Sequence, residues 1–315
     1  MKKYYLCGRF CEKAMRFNKR KLIGFAAGIV AGVSYGMNPL FAKPLMEEGV
    51  QVLMMLFFRY FLSVLMLGLW MFLRRESFRV SQQEIPLLVC LGLLFSGSSL
   101  FLFESYRFIP SGLATTIVYL YPVFVALMMA ALGNVPDWHV WVSIGATFAG
   151  VMLLCKPAGG VALHWGGLAL AALSALSYAC YLVIVNRSKR IRRVSTHALT
   201  FYALAVGSVL FVAIQSCRDG FSLAGIRSAG AVVNLLGLAV FPTMISLLAL
   251  AVSTRHIGPT RTSVLGVFEP ITAILIGTVL FGEPMTVQMS AGIVICLAAI
   301  LFMVVTERHP AGEEV

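Results

Sequence analysis

Long uninterrupted apolar runs occupy most of the chain from residue 22 onward, separated by short stretches with charges, prolines or glycines. A membrane-spanning helix needs about 20 apolar residues, and lipid offers no partners for open backbone groups. The runs lack the apolar–polar alternation of membrane strands. The pattern therefore predicts an all-α membrane protein with ten transmembrane helices. The runs are Leu22–Ala42, Val52–Leu73, Ile85–Phe103, Leu113–Leu132, Trp138–Cys155, Trp165–Val185, Ala198–Ile214, Ala231–Val252, Val264–Phe281 and Val287–Val305.

Composition agrees with a protein whose main solvent is lipid. Of 315 residues, 59% are hydrophobic and 12% are charged, with a mean hydropathy of +0.89. Soluble domains are roughly 25% charged. Ten spans and short loops nearly exhaust the chain, so we expect no separate soluble domain.

The net charge of +12 is distributed in a way that indicates topology rather than nucleic-acid binding. With the N-terminal segment inside, 19 of the 25 Lys and Arg lie in predicted inside segments, eight of them before residue 22. Cytoplasmic loops of membrane proteins are enriched in these residues. We therefore expect both termini in the cytoplasm and a multi-pass protein of the cytoplasmic (inner) cell membrane, with no nucleic-acid partner.

Two sets of residues recur along the chain at nearly constant spacing. Gly24, Ala26 and Ser34-Tyr35 return 143 residues later as Gly167, Ala169 and Ser177-Tyr178. Arg107, Ile109 and Pro122 return 148 residues later as Arg255, Ile257 and Pro270. Each copy holds five spans, and an odd number forces the copies into opposite orientations. We predict a cytoplasmic tail (1–21), two inverted five-helix repeats (22–156 and 164–306) and a C-terminal cytoplasmic tail (307–315).

Several phrases resemble those of a known transporter family. In the second half these are Ile257-Gly258-Pro259, Glu269-Pro270 and Gly282-Glu283-Pro284; in the first half they are Phe58-Arg59-Tyr60, Ile109-Pro110-Ser111 and Tyr121-Pro122. With ten spans in two repeats, the chain resembles the EamA-type branch of the drug/metabolite transporter superfamily. The resemblance implies a cavity among helices one, three, four, six, eight and nine. It also implies export or exchange of amino acids and other metabolites.

Three ionisable residues fall inside or at the edge of predicted spans: Arg59, Glu104 and Glu269. A charge at the bilayer centre costs about 2.5 to 3.5 kcal/mol on insertion scales, so such residues are functional candidates. Glu269 precedes Pro270, which interrupts helical hydrogen bonding. It would bind a proton or a substrate amine, or else hold helices together by pairing with Arg59 or Arg261. Arg59 would bind substrate or brace the interior, whereas Glu104 suits a local ion pair with Arg107.

Uncharged polar residues and prolines complete the predicted site. The serines are also suited to close helix packing, and the tyrosines to anchoring at the membrane surface. The predicted substrate-binding residues are Tyr35, Asn38, Arg59, Ser96, Ser99, Tyr119, Tyr178, Tyr181, Ser246 and Glu269. The predicted helix breaks are at Pro39, Pro122, Pro242 and Pro270.

A cavity lined by Tyr, Asn, Ser and one carboxylate suits a neutral or zwitterionic organic solute better than a multivalent anion. The sequence has no Walker-type phosphate loop, and Cys90, Cys155, Cys180 and Cys296, in or at the edge of apolar runs, form no pair at zinc-ligand spacing, so we expect no ATP hydrolysis, cofactor or metal. Cys7 and Cys11 form a C-x3-C in the basic tail, where lipidation or metal binding stays open. The leading hypothesis is a secondary exporter or exchanger of a small metabolite such as an amino acid. It would work by rocking of the two halves about a midplane cavity.

Other functions stay open at this point. They are efflux of nucleosides or drug-like amines, a channel, and an intramembrane enzyme. An intramembrane hydrolase would need a nucleophile with a His or Asp partner, whereas every histidine lies at a span boundary or in a tail. Proton coupling through Glu269 is a further hypothesis, and no pattern indicates an oligomeric state.

Overall fold

The computed structural model describes residues 21–133, 137–154, 164–218, 226, 228–257, 262 and 265–306. Both predicted tails, apart from Lys21, lie outside these ranges. The described residues form helices joined by short turns, with no strand among them. Helices α1 to α10 are Lys21–Glu47, Val52–Leu73, Ile85–Ser105, Ser111–Ala131, Trp138–Leu154, Trp165–Arg187, Thr196–Arg218, Ala229–Ile257, Phe268–Phe281 and Val287–Thr306.

Seven of these helices are long and apolar enough to cross a membrane, namely α1 to α4 and α6 to α8. The other three are shorter apolar helices: α5 has 17 residues, α9 has 14, and the apolar part of α10 is Val287–Phe302. Large apolar side chains lie exposed on the outer surface, including Phe72, Val279 and Val294. Such a surface is unfavourable in water and favourable against lipid chains. The fold is therefore that of an all-helical membrane protein.

Several of the long helices are interrupted next to a proline. A proline ring removes one backbone donor and clashes with the preceding turn, so it weakens the helix at that point. Helix α1 is interrupted at Met37, before Pro39, and α4 at Tyr119 and Leu120, before Pro122. Helix α8 contains a π-helical segment, Val240–Ile245, around Pro242, and α9 begins just before Pro270.

Glycines at every fourth position of α1 let this helix approach α8 and α9 closely. A Cβ atom added to Gly32 would lie 3.0 Å from the Leu265 carbonyl oxygen, and one added to Gly36 would lie 2.5 Å from the Glu269 carbonyl oxygen. Small residues permit such contact between membrane helices. On α6 the equivalent positions are Gly167, Ala171, Ala175 and Ala179, all buried. The stripe on α1 brings Tyr35 and Asn38 next to the first turn of α9.

The principal packing contacts connect eight of the described helices in a closed ring, in the order α3, α6, α4, α9, α1, α8, α2, α7. Helices α5 and α10 pack mainly on each other, beside α4. We call α3, α4, α6 and α7 bundle A, and α1, α2, α8 and α9 bundle B. The bundles meet at two seams, α4 with α9 and α2 with α7, and each bundle contains helices from both halves of the chain.

Candidate solute-binding site

Arg59 carries a cation into the interior between the two bundles, where only 3% of the residue is exposed. Its Nε donates a hydrogen bond of 3.0 Å to Thr243 Oγ1, in the π-helical segment of α8. The guanidinium carbon lies 5.3 Å from the ring centroid of Phe103 and 6.0 Å from that of Tyr35. Aromatic faces attract a cation at such distances. These contacts hold the guanidinium plane in one orientation.

Two buried polar atoms of bundle B, Arg59 Nη1 and Asn38 Oδ1, have no hydrogen-bond partner among the described residues. The amide of Asn38 is fixed because its Nδ2 donates to the Tyr35 carbonyl oxygen at 2.8 Å. An unsatisfied buried polar group costs about 1 to 3 kcal/mol. Arg59 Nη1 therefore suits a ligand acceptor, and Asn38 Oδ1 suits a ligand donor.

Glu269 lies half-buried in the first turn of α9, immediately before Pro270. In the part of the chain that the structure describes, its carboxyl makes no ion pair, although its charge and that of Arg59 interact through space. Direct pairing with Arg59 is therefore not observed, and Arg261 lies outside the described residues. Bundle B thus presents a cation and a carboxyl that do not neutralise each other by contact.

Bundle A faces these charges with a wall of aromatic rings. The ring of Tyr178 lies 4.9 Å from that of Tyr121, edge to face, and 5.9 Å from the nearly parallel ring of Tyr181. Tyr119 is 5.9 Å from Tyr121, and Phe95 is 5.5 Å from Tyr181. Glu269 interacts electrostatically with Tyr119, Tyr121 and Tyr178, so wall and carboxyl share one region.

The structure brings seven of the predicted residues to this region and places the three serines in contacts between helices. The seven are Tyr35, Asn38, Arg59, Tyr119, Tyr178, Tyr181 and Glu269. Ser99 Oγ bonds Tyr60 Oη at 2.6 Å, and Ser246 Oγ donates to the Ala31 carbonyl oxygen at 3.0 Å. Ser96 is fully buried against Tyr60 and Gly207. Tyr181 also packs against a small apolar cluster beside α7, including Leu88 and Ile191.

Sequence reasoning did not include Thr243, Tyr121, Phe95 or Phe103 in the site. Tyr121 could have been chosen, because the repeat aligns it with Glu269. Thr243 follows Pro242, and a hydroxyl beside a helix-disturbing proline is a usable signal. Nothing in the sequence distinguishes Phe95 and Phe103 from Phe101, the third phenylalanine of α3.

Arg59, Glu269 and the aromatic wall lie inside a helical membrane bundle, where an ionisable group is costly and marks a candidate site for a solute. Residues 22–155 and 165–305 each match the EamA-like transporter family, and the chain belongs to that family. It is a multi-pass membrane transporter.

Relatives from three organisms carry transporter names. An uncharacterized transporter of Archaeoglobus fulgidus is 24% identical over 60% of this chain and 65% of its own length, and a second one is 27% identical over 73% and 81%. The uncharacterized inner membrane transporter YedA of Escherichia coli K12 is 27% identical over 63% of each chain. An uncharacterized transporter of Synechocystis is 29% identical over 59% of this chain. The match thus spans just under two thirds of the first of these proteins. The names indicate a transporter rather than an enzyme.

A solved crystal structure has the same fold. It aligns with a TM-score of 0.62 and 20% identity over 90% of this chain and 96% of the other.

Proposed function

We propose that this protein is a secondary transporter that exports or exchanges a small zwitterionic solute, of which an amino acid is the simplest case. The observation that carries the proposal is the unpaired Arg59 Nη1 beside a separate Glu269 carboxyl, opposite a wall of tyrosines. A solute carboxylate would accept hydrogen bonds from Arg59, and its ammonium would donate to Glu269 and Asn38 Oδ1. Its side chain would pack on the rings of bundle A.

The balance of charge favours a zwitterion over a simple cation or anion. A bound amine would satisfy Glu269 but leave Arg59 Nη1 without an acceptor, and a bound anion would leave the carboxyl uncompensated. Unpaired charge in a low-dielectric interior is costly. A zwitterion satisfies both groups at once and adds no net charge.

We also propose the ten-span arrangement with inverted repeats 22–156 and 164–306 and both termini in the cytoplasm. Supporting contacts recur at the offsets seen in the sequence. Gly24 packs on Ile257 just as Gly167 packs on Ile109. Ser246 bonds the backbone of Ala31, while Ser98 bonds Ser174, which stands at the position equivalent to Ala31. Replacing each helix by its counterpart in the other repeat, such as α1 by α6 and α4 by α9, also gives a ring with the same neighbours.

Transport would proceed by alternating access about this central site. The sequence suggested rocking of the two five-helix halves, but the closest packing joins helices of different halves, such as α3 with α6 and α5 with α10. We therefore place the motion between bundle A and bundle B. The extensive seam between α2 and α7 would act as the pivot, and the seam between α4 and α9 would open and close.

Thermal unfolding of the purified protein with matched ligands tests the proposed solute class. The series comprises free amino acids, their methyl esters, which lack the carboxylate, and their N-acetyl derivatives, which lack the ammonium. Binding to the folded state raises the unfolding temperature. We expect stabilisation only by free amino acids, and loss of that stabilisation in Arg59→Gln.

The same series separates the alternatives. Equal stabilisation by amino acids and their esters would indicate an amine carrier that does not use Arg59. Stabilisation by the N-acetyl derivatives alone would indicate an anion carrier. Either result would refute the zwitterion proposal.

A further inference from the structure

The carboxylate of Glu283, just beyond the end of α9, is bound by groups from two other helices. Its oxygens accept hydrogen bonds from Ser111 N at 2.9 Å, Ser111 Oγ at 2.7 Å and Gly112 N at 3.4 Å. It also forms an ion pair with Lys43 Nζ of α1, which lies 5.0 Å from the ring centroid of Phe281. Only 8% of the Glu283 side chain is exposed. Nothing in the proposed transport chemistry uses this cluster.

The end of α9 is shaped to place this carboxylate. Gly282 ends the helix with a φ of 60°, a conformation that glycine adopts easily. The backbone N–H of Glu283 then donates to the Gly277 carbonyl oxygen at 3.0 Å, which folds residue 283 back against the helix. Gly277 leaves the necessary space, because a Cβ there would overlap the carboxylate.

The carboxylate caps the start of α4 from outside that helix. Its own residues provide no side-chain cap at this end, where Pro110 precedes Ser111. The first N–H groups of a helix lack intrahelical partners and carry partial positive charge, so they bind a carboxylate well. Glu283 therefore acts as the N-cap of α4, although it belongs to a distant part of the chain.

This contact crosses the seam between the bundles. Glu283 and Lys43 belong to the bundle B side, whereas Ser111 and Gly112 begin α4 of bundle A. The cluster lies at the end of the molecule remote from residue 21. Two turns of α4, about 12 Å, separate Ser111 from Tyr119 of the aromatic wall. The contact is therefore located over the central site at one face of the membrane.

From this placement we infer that Glu283 is a gate residue, which closes the seam between α4 and α9 at that face when it binds the start of α4. The inference rests on the proposed alternating access. Opening of this seam would break the hydrogen bonds between Glu283 and the first residues of α4, while Lys43 keeps the carboxylate in position on bundle B. In the first repeat the position equivalent to Glu283 is Val135, which has no carboxylate.

Thiol labelling measures gate opening without any solute, so its result is independent of the proposed substrate. Thr115 is buried one turn inward from Ser111, and Thr115→Cys places a thiol beneath the gate. A membrane-impermeant thiol reagent is applied to vesicles of each orientation, and variants without the added cysteine supply the background. Glu104→Gln is the matched control, because Glu104 pairs with Arg107 on the same side but within one bundle.

In the Thr115→Cys background, we expect Glu283→Gln to raise labelling of the introduced thiol about tenfold from the face remote from residue 21, since one charge-assisted contact is lost. Lys43→Met should have a smaller effect in the same direction, and Lys43→Arg and Glu104→Gln none. Unchanged labelling in Glu283→Gln would overturn the inference. Faster labelling from both faces would also overturn it, because that result means a loosened fold rather than an opened gate.

Discussion

Arg59 shows how the fold accommodates a cation that apolar surroundings would otherwise exclude. The guanidinium donates a hydrogen bond to the Thr243 hydroxyl oxygen and lies near the aromatic rings of Phe103 and Tyr35. Each contact compensates part of the lost hydration, and Nη1 is the atom left over among the described contacts. These contacts stabilise the buried charge of Arg59 and also make the site selective for certain ligands. Only a ligand with a hydrogen-bond acceptor can satisfy the remaining donor, Nη1.

Thr243→Val should weaken solute binding about tenfold, because hydrogen bonds to charged groups contribute about 1.5 to 3 kcal/mol. The substitution keeps the side-chain volume but frees Arg59 Nε. Solute-dependent shifts in unfolding temperature measure the effect. Thr116→Val is the matched control, since the buried Thr116 hydroxyl also bonds its own helix backbone, at Gly112, but touches no charge. Equal weakening by both variants would contradict a role for Thr243 in positioning Arg59.

Glu269→Gln tests proton coupling at a single carboxyl. If the solute exchanges against a proton bound at Glu269, the variant should transport in liposomes at a rate that no longer depends on pH. Glutamine keeps the shape of the side chain and cannot titrate. Glu104→Gln, which alters a carboxyl paired with Arg107 rather than one in the central site, should leave the pH dependence intact. A Glu269→Gln variant with the parent's pH dependence would exclude this carboxyl as the coupling group.

At the scale of elements, the glycine stripe of α1 determines how closely this helix meets the turn that carries Glu269. Gly36→Ala should lower the unfolding temperature by several degrees, because the new Cβ would press on the Glu269 carbonyl oxygen. Gly145→Ala is the matched control: Gly145 is also in a helix, with no atom within 4 Å of an added Cβ. Alanine favours helices, so the control should be neutral or slightly stabilising. A neutral Gly36→Ala would mean that α1 and α9 can separate freely.

The sequence predicted the helices well because the bilayer imposes a length and an apolar composition on each of them. Breaks near Pro39, Pro122 and Pro242 follow from the proline ring itself. The π-helical segment did not follow from the sequence, because it depends on packing of α8 around Thr243. The hydrogen-bond partners of Glu283 could not be predicted from the sequence either, since 171 and 172 residues separate it from Gly112 and Ser111. Local pattern carries no information about such pairs.

At the scale of the whole molecule, the ring of helices decides which parts can move as units. Ser98 Oγ and Ser174 Oγ lie 3.1 Å apart, on α3 and α6, so they join the two halves of the sequence within bundle A. A disulfide formed in Ser98→Cys/Ser174→Cys should leave transport in liposomes unchanged if the bundles are the moving units. Transport that stops on oxidation and returns on reduction would show instead that the sequence halves move against each other.

Arg59 and Glu269 both lie on bundle B, and their shared position determines how the carrier responds to membrane voltage. With Glu269 ionised, its charge and that of Arg59 cancel as the bundle moves, and the electric field does no net work on the pair. With Glu269 protonated, one positive charge moves alone, and about 2.3 kcal/mol per 100 mV acts on it across the full field. Voltage should therefore bias the protonated carrier alone.

In liposomes with an imposed potassium diffusion potential, solute flux should be voltage-sensitive in acid and insensitive in base, whereas flux through Glu269→Gln should respond to voltage at every pH.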